Sequence, residues 1–213
     1  MQFDPDYDCQ ACSRLVQYRH QYRASNPQWH NGPVDTWVDE AGEDSVRLLI
    51  IGMAPGLKGA NRTGRPFTGD YAGDLLYQTL VKYGLAKGSY GASRRDNLAL
   101  TGCAITNAVR CVPPQNKPIG EEVNNCRPYL VNTLARFKNV KALLTLGKIA
   151  HDTTARTLSV RVAAVPFGHN RRHDMGEFTV YSSYHCSRYN TNTGRLTEKM
   201  FEDVFDNLVK IVG

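Results

Sequence analysis

The sequence predicts an α/β fold: a three-layer αβα sandwich around a central four-stranded, mostly parallel sheet. Three observations predict it. Four short apolar runs, VRLLIIG, CAITNAV, KALLTLG and FTVYSSY, have the length and composition of buried strands. Stretches of helical length and pattern stand between them. The chain has 213 residues, room for one domain with a substantial core, taken here as residues 1–213.

The elements follow in order. Residues 9–24 suit a short helix. Residues 25–44, rich in Pro, Asn, Gly and acids, read as an irregular connection with a strand near 36–38. VRLLIIG spans 46–52, and its core, 48–51, reads as a strand buried on both faces and stopped by glycine. A Gly- and Pro-rich loop runs on to Gly69, and 71–83 suits a helix. CAITNAV, 103–109, is the second strand, followed by a Pro-bearing loop and a helix at 120–137. KALLTLG, 141–147, leads into a helix at 148–155, and FTVYSSY, 178–184, is the fourth strand. Residues 194–211 make an amphipathic helix with Leu196, Met200, Phe201, Val204, Phe205 and Leu208 on one side. In such sheets ligands bind beyond the carboxyl ends of the strands. That rule selects the loops starting at Gly52, Asn107, Gly147 and His185.

Hydrophobic residues make up 41% and charged residues 22%, the balance of a soluble globular protein. No run approaches the roughly 20 apolar residues of a membrane span. No apolar signal-peptide core opens the chain, so a cytoplasmic location is expected. In that reducing compartment the six cysteines are not expected to form structural disulfides. The net charge of +6 favours an anionic partner, nucleic acid foremost. Basic residues gather within 155–173 (Arg156, Arg161, Arg171, Arg172), at Lys58, Arg62 and Arg65, and at Arg94 and Arg95.

The 52–70 loop reads GMAPGLKGANRTGRPFTGD. Its glycines permit close approach of backbone amides to a ligand, although it is neither a Walker loop nor GxGxxG. Phe67 is either a plug onto the core or a stacking platform for a planar ligand. Asp70 stands where a helix N-cap is expected. Cys9 and Cys12 form a C-x-x-C, and Cys111 and Cys126 follow with fourteen residues between them. Four such cysteines suit a structural Cys₄ zinc or a [4Fe–4S] cluster, and their chemistry alone leaves both open.

The loop resembles the first signature of the uracil-DNA glycosylase superfamily, in the form typical of its family 5. SYHCSRYNTNTGRLT, 183–197, is similar to the second signature, and ITNAVRCVPPQNKP, 105–118, to the base-reading strand. The resemblance implies the following roles. Asn107 reads the uracil edge, Phe67 stacks on the base, Met53 and Ala54 contribute backbone amides, and His185 bonds uracil O2. Ala54 stands where other families carry the water-positioning Asp or Asn, so Asp70 becomes the catalytic carboxylate. Asn61, Arg62, Ser187, Arg188, Tyr189 and Arg195 contact DNA, with Arg188 and Tyr189 in a loop, 186–192, that fills the gap left by the flipped base. Cys9, Cys12, Cys111 and Cys126 hold a [4Fe–4S] cluster, leaving Cys103 as core. Cys186 departs from the family, which usually has Pro after the histidine.

The expected activity is therefore hydrolytic release of uracil from DNA by a monomer, leaving an abasic site, in the cytoplasm at the nucleoid. Hypoxanthine, xanthine and other deaminated bases are further expected substrates. No lysine stands at an evident nucleophile position, so lyase activity is not expected. A protein that binds uracil in DNA without cleaving it is the alternative, motivated by Ala54.

Overall fold

Helix α1 (Ser13–Ser25) opens the chain in the computed structural model, which describes residues 2–213. Strand β1 (Trp37–Val38) and strand β2 (Leu48–Gly52) follow, then the short helix α2 (Ala60–Thr63) and helix α3 (Tyr71–Lys82). Strands β3 (Ala86–Lys87) and β4 (Ala99–Leu100) form a separate ribbon, and β5 (Cys103–Asn107) returns to the main sheet. Helix α4 (Gly120–Arg136), β6 (Ala142–Leu146) and α5 (Lys148–Thr157) come next. Strands β7 (Arg171–Met175) and β8 (Phe178–Ser183), then α6 (Arg188–Asn192) and α7 (Glu198–Val212), complete the chain.

The main sheet has the order β1-β5-β2-β6-β8-β7. The four expected strands form its parallel centre: β2 pairs in parallel with β5 and β6, and β6 with β8. Two antiparallel edge strands, β1 and β7, widen it to six. The strand at 36–38 is expected, but β7 starts at the end of the basic stretch 155–173 and runs past it. Its run Arg171–Met175 is mostly exposed, as suits an edge strand whose charges deter further pairing.

Every residue of β2, β5 and β6 is buried, which accounts for their largely apolar composition. Alternate side chains enter two cores. Leu48, Ile50, Ile105 and Leu144 pack with Leu76 and Leu80 of α3 and Phe201, Phe205 and Leu208 of α7. Leu49, Ile51 and Leu143 pack with Leu130 and Leu134 of α4 and Ala150 of α5. The result is a three-layer sandwich. Each large apolar side chain so buried contributes about 1.5–3 kcal/mol. Thr197 caps α7 by accepting from the Met200 amide at 3.2 Å, so that helix starts at Glu198, not at 194.

Two other helical boundaries depart from expectation. Helix α1 starts at Ser13, leaving Cys9 and Cys12 in the irregular lead. The 186–192 stretch is not a plain loop, since α6 occupies most of it. Among the described residues no helix is long and apolar enough to cross a membrane.

The register aligns Gly52 with Asn107 and Leu146 with Ser183. The carboxyl ends of all four central strands therefore open on one edge of the sheet, where their loops meet.

Candidate active site

Gly52 ends β2 beside Asn107, which ends β5. A Cβ on Gly52 would lie 2.4 Å from Asn107 Oδ1 and 2.6 Å from Phe67 Cζ. Glycine is needed here because two functional side chains close over the strand end. Asn107 is 2% exposed, lines the cavity beyond the sheet, and has no hydrogen-bond partner for its amide among the described residues. An amide with both its donor and its acceptor free can read a ligand edge that presents the complementary pair.

Phe67 has φ 50°, in the left-handed region that costs a non-glycine residue about 1–3 kcal/mol of strain. The surrounding loop holds it there. Arg65 makes a two-pronged ion pair with Asp96 at 2.7 and 2.8 Å and donates from Nε to Thr68 Oγ1 at 2.8 Å. Its guanidinium also stacks 4.5 Å over Trp37. Tyr77 Oη donates to the Pro66 carbonyl. Arg65 is thus a buried strut of the loop, not part of an exposed basic cluster with Lys58 and Arg62.

Asp70 occupies the N-cap position of α3 with extended backbone, but its side chain makes no capping hydrogen bond. Its carboxylate lies instead under the loop. A Cβ on Gly59 or Gly56 would come within 2.2 or 2.5 Å of Asp70 Oδ2. Those two glycines make room for the carboxylate, a closer reason for them than amide approach to a ligand. Asp70 Oδ1 is buried without a partner. Burial pushes the Asp70 pKa up, opposed by the nearby amides of Ala72 and Gly73.

His185 follows β8 and is held by its own backbone: Asn190 Nδ2 donates to the His185 carbonyl at 2.8 Å. Its ring stacks on Phe67. Protein encloses it on most sides while one edge opens on the cavity. Burial lowers its pKa to about 4, so the imidazole is neutral at physiological pH.

These four residues line one cavity of about 940 Å³, with Met53 and Ala54 on its wall. Ala54 offers no polar atom beyond its backbone. Asp70 is the one carboxylate among the lining residues, whereas Lys58, Lys117, Lys148, Arg188 and Arg195 supply five cations. Such a field draws a polyanion to the mouth. Arg188 is held 5.3 Å over Tyr71, and Arg195 4.6 Å over Tyr184. Stacking on a ring leaves the guanidinium edges free to donate. Tyr189 is 72% exposed and projects from α6, beside Ser187 at the cavity rim.

Asn61 is a correction. It is 1% exposed and donates from Nδ2 to Asn31 Oδ1 at 2.9 Å, so its side chain braces the loop and does not reach DNA. Arg62 is exposed but lies off the cavity, its Nε donating to the Lys58 carbonyl at 2.8 Å. Lys117, Lys148, Phe167 and Tyr184 join the site without having been singled out from the sequence. Tyr184, adjacent to His185 at a strand end, carried the one usable signal.

Cys9, Cys12, Cys111 and Cys126 converge on a second, small cavity of about 20 Å³ between the lead into α1, the exit of β5 and α4. Donors surround the sulfurs. The Arg110 amide points at Cys126 Sγ (3.3 Å), Asn125 Nδ2 at Cys12 Sγ (3.7 Å) and Arg19 Nη1 at Cys111 Sγ (3.8 Å). Burial raises the Cys111 and Cys126 thiols to about 12 and about 11, so anionic sulfur there calls for a bound cation. Among the described residues no three His, Cys, Asp or Glu side chains close to the spacing of ligands on a single ion. Four thiols around one small cavity, three of them faced by N–H donors, form a donor set that suits a thiolate-bound centre. Ala54 packs against this cysteine core and also lines the large cavity, joining the two sites. Cys103 is core, its thiol donating to the Leu85 carbonyl at 3.2 Å, and Cys186 is fully buried beside His185.

Comparison with known proteins agrees with this geometry. A protein from Thermus thermophilus named type-5 uracil-DNA glycosylase is 37% identical over 209 residues, covering 96% of this chain and 94% of its own. One of the same name from Pyrobaculum aerophilum is 36% identical, covering 92% and 86%. A type-4 uracil-DNA glycosylase from the same organism is 36% identical over 53% of this chain and 50% of its own. The profile of the Uracil DNA glycosylase superfamily matches residues 40–209, and the chain belongs to that superfamily.

Proposed function

We propose that the protein is a monofunctional uracil-DNA glycosylase, which extrudes uracil from DNA, hydrolyses its N-glycosidic bond and leaves an abasic site. The convergence of Asn107, Phe67, His185 and Asp70 on one cation-rimmed cavity carries this reading. The name shared by its relatives supports it.

In the reaction the C1′–N1 bond breaks and its electron pair leaves with the base. A water oxygen then bonds C1′ and gives up a proton. Asn107, with a free donor and acceptor, meets uracil O4 and N3–H and mismatches cytosine, whose edge presents the reverse pattern. Phe67 offers a stacking face worth about 1–3 kcal/mol. The neutral imidazole of His185 donates to uracil O2 as negative charge grows there, a contribution of about 3 kcal/mol to the barrier. Asp70, with its raised pKa and unpartnered Oδ1, orients the water, accepts its proton and opposes the positive charge on the sugar. Extruding the base costs roughly a few kcal/mol, which contacts from Ser187, Arg188, Tyr189 and Arg195 offset.

The cavity exceeds what a pyrimidine fills, and Ala54 places only a methyl group against a larger base. Hypoxanthine and xanthine therefore belong to the proposed substrate range. Cys9, Cys12, Cys111 and Cys126 are proposed to hold a [4Fe–4S] cluster. When bound it supplies a covalent cross-link among the N-terminal lead, the exit of β5 and α4. Through Ala54 that link steadies the cavity wall.

The test is cleavage of single-stranded and duplex oligonucleotides bearing uracil, hypoxanthine or thymine, with His185→Ala as control. Uracil-dependent abasic sites that vanish in the variant support the reading. Binding of uracil-DNA by iron-loaded protein with no release of any base sinks it.

A further inference from the structure

Two arginines flank the four cysteines, and they are the least exposed cations in the described chain: Arg19 at 2% and Arg110 at 0%. They differ in what neutralises them. Arg110 pairs with Asp4 at 2.9 Å and donates to Thr36 Oγ1 and Thr133 Oγ1. Arg19 has no carboxylate partner among the described residues. Its Nη2 donates to the Cys9 carbonyl at 2.8 Å, its Nη1 points at Cys111 Sγ, and its Nε has no partner. The acid closest in sequence, Asp8, is taken by Arg23 at 2.5 Å.

An unpaired buried guanidinium is strongly unfavourable, and arginine does not relieve the cost by losing its proton. Neutral thiols do not supply the missing charge. Thiolates bound to a net-negative metal centre do, and the sulfur of Cys111 already lies in line with Nη1.

We infer that Arg19 is the built-in counter-ion of the centre held by Cys9, Cys12, Cys111 and Cys126. This rests on the cluster proposed above. Arg19 ligates nothing. It donates into the Cys9–Cys111 side of the centre and balances its charge, so the fold tolerates Arg19 buried only because the centre is present. Losing that positive charge disfavours an added electron and leaves the sulfurs less protected.

The test uses full-length protein purified without oxygen, as wild type, Arg19→Gln and Arg19→Lys. Iron and sulfide content, bleaching of the visible band in air, and midpoint potential are measured. Thermal melts are recorded with the centre present and after chelation. The wild type is expected to carry iron and sulfide. Arg19→Gln should bleach about tenfold faster, the scale of one charge-assisted hydrogen bond, and shift its potential negative. Arg19→Lys should restore much of the potential. Arg19→Gln should lower the melting temperature of the loaded protein but not that of the chelated protein, where it removes an unpaired charge. Equal losses in both forms, or a variant insoluble in both, make Arg19 a plain structural residue and overturn the inference. So does a variant matching wild type in bleaching and potential, with the cluster itself still standing. A wild type without iron and sulfide removes the cluster reading and this inference together.

Discussion

The rings of Phe67 and His185 face each other with centroids 5.8 Å apart and 26° between their planes. A planar base sandwiched between two rings needs about 7 Å, twice the van der Waals spacing. The base therefore does not enter between them as they stand. In the proposed reaction it lies on the face of one ring and meets the other at its edge, which would divide the labour: Phe67 to bind and His185 to act on the departing charge.

Substitutions should separate these two effects. Phe67→Ala should weaken binding of uracil-DNA by about 1–3 kcal/mol. His185→Ala should slow single-turnover excision by about 10²–10³-fold with little change in binding. Titration with a non-cleavable uracil analogue in DNA, beside single-turnover kinetics, checks both. Equal losses of affinity in the two variants would contradict the division.

Asp70→Asn should lose most turnover and gain stability. Burial raises the Asp70 pKa, so the folded protein disfavours the ionised form, and that penalty grows as pH rises through the folded value. An amide removes it. The melting temperature at neutral pH should therefore rise. Calorimetry and single-turnover assays on the same preparation read both.

The pH profile follows from the same two groups. His185 is lowered to about 4, so it stays neutral from pH 8 down to pH near 5, and its contribution to the rate is flat there. The acid limb of the rate should belong to Asp70 and lie above the ordinary carboxylate range. Burying His185 neutral also links to stability. That contribution is full above the unfolded value of 6.5 and is lost as pH falls through about 4. Nitrogen NMR shifts of His185 between pH 4 and 8 test its neutrality, and an imidazolium at pH 6 would refute it.

The Arg65–Asp96 pair should be a strong support of the Phe67 loop. Asp96 is lowered to about 2: burial opposes its charge, and the bonds from Arg65 and the Gly91 and Leu98 amides outweigh that cost. Its stabilising effect is full above 3.8 and is lost as pH falls through about 2. With both side chains only 7% exposed, Asp96→Ala strands a buried guanidinium and should cost about 3–5 kcal/mol. Urea unfolding at pH 7 measures it.

The tyrosine-held arginines predict a salt effect. Arg195→Ala should weaken DNA binding alike on all sequences and lower the slope of log affinity against log salt by about 1. Tyr184→Leu should give part of that loss by freeing the guanidinium, while Tyr184→Phe keeps the stack. An unchanged salt slope in Arg195→Ala would place that residue outside the DNA contact.

The sequence by itself determined the parallel centre of the sheet, because strands buried on both faces are mostly apolar, as in Leu48–Gly52 and, Thr145 apart, Ala142–Leu146. It also carried the order of the signatures that bring Phe67, Asp70, Asn107 and His185 to one end. The edge strands were less legible, since a strand with one neighbour and an exposed face needs no apolar run, and Arg171–Met175 reads as a basic loop. Only the tertiary structure decided which polar residues are buried. Asn61 and Arg65 look like surface contacts until Asn31, Asp96 and Trp37 arrive from distant segments to satisfy them. The same holds for Gly56 and Gly59, whose reason is the Asp70 carboxylate, and for Arg19, whose partners are the Cys9 carbonyl and the Cys111 sulfur. Periodicity records burial of apolar surface locally, whereas the burial of a polar group depends on a partner that only the folded chain brings near.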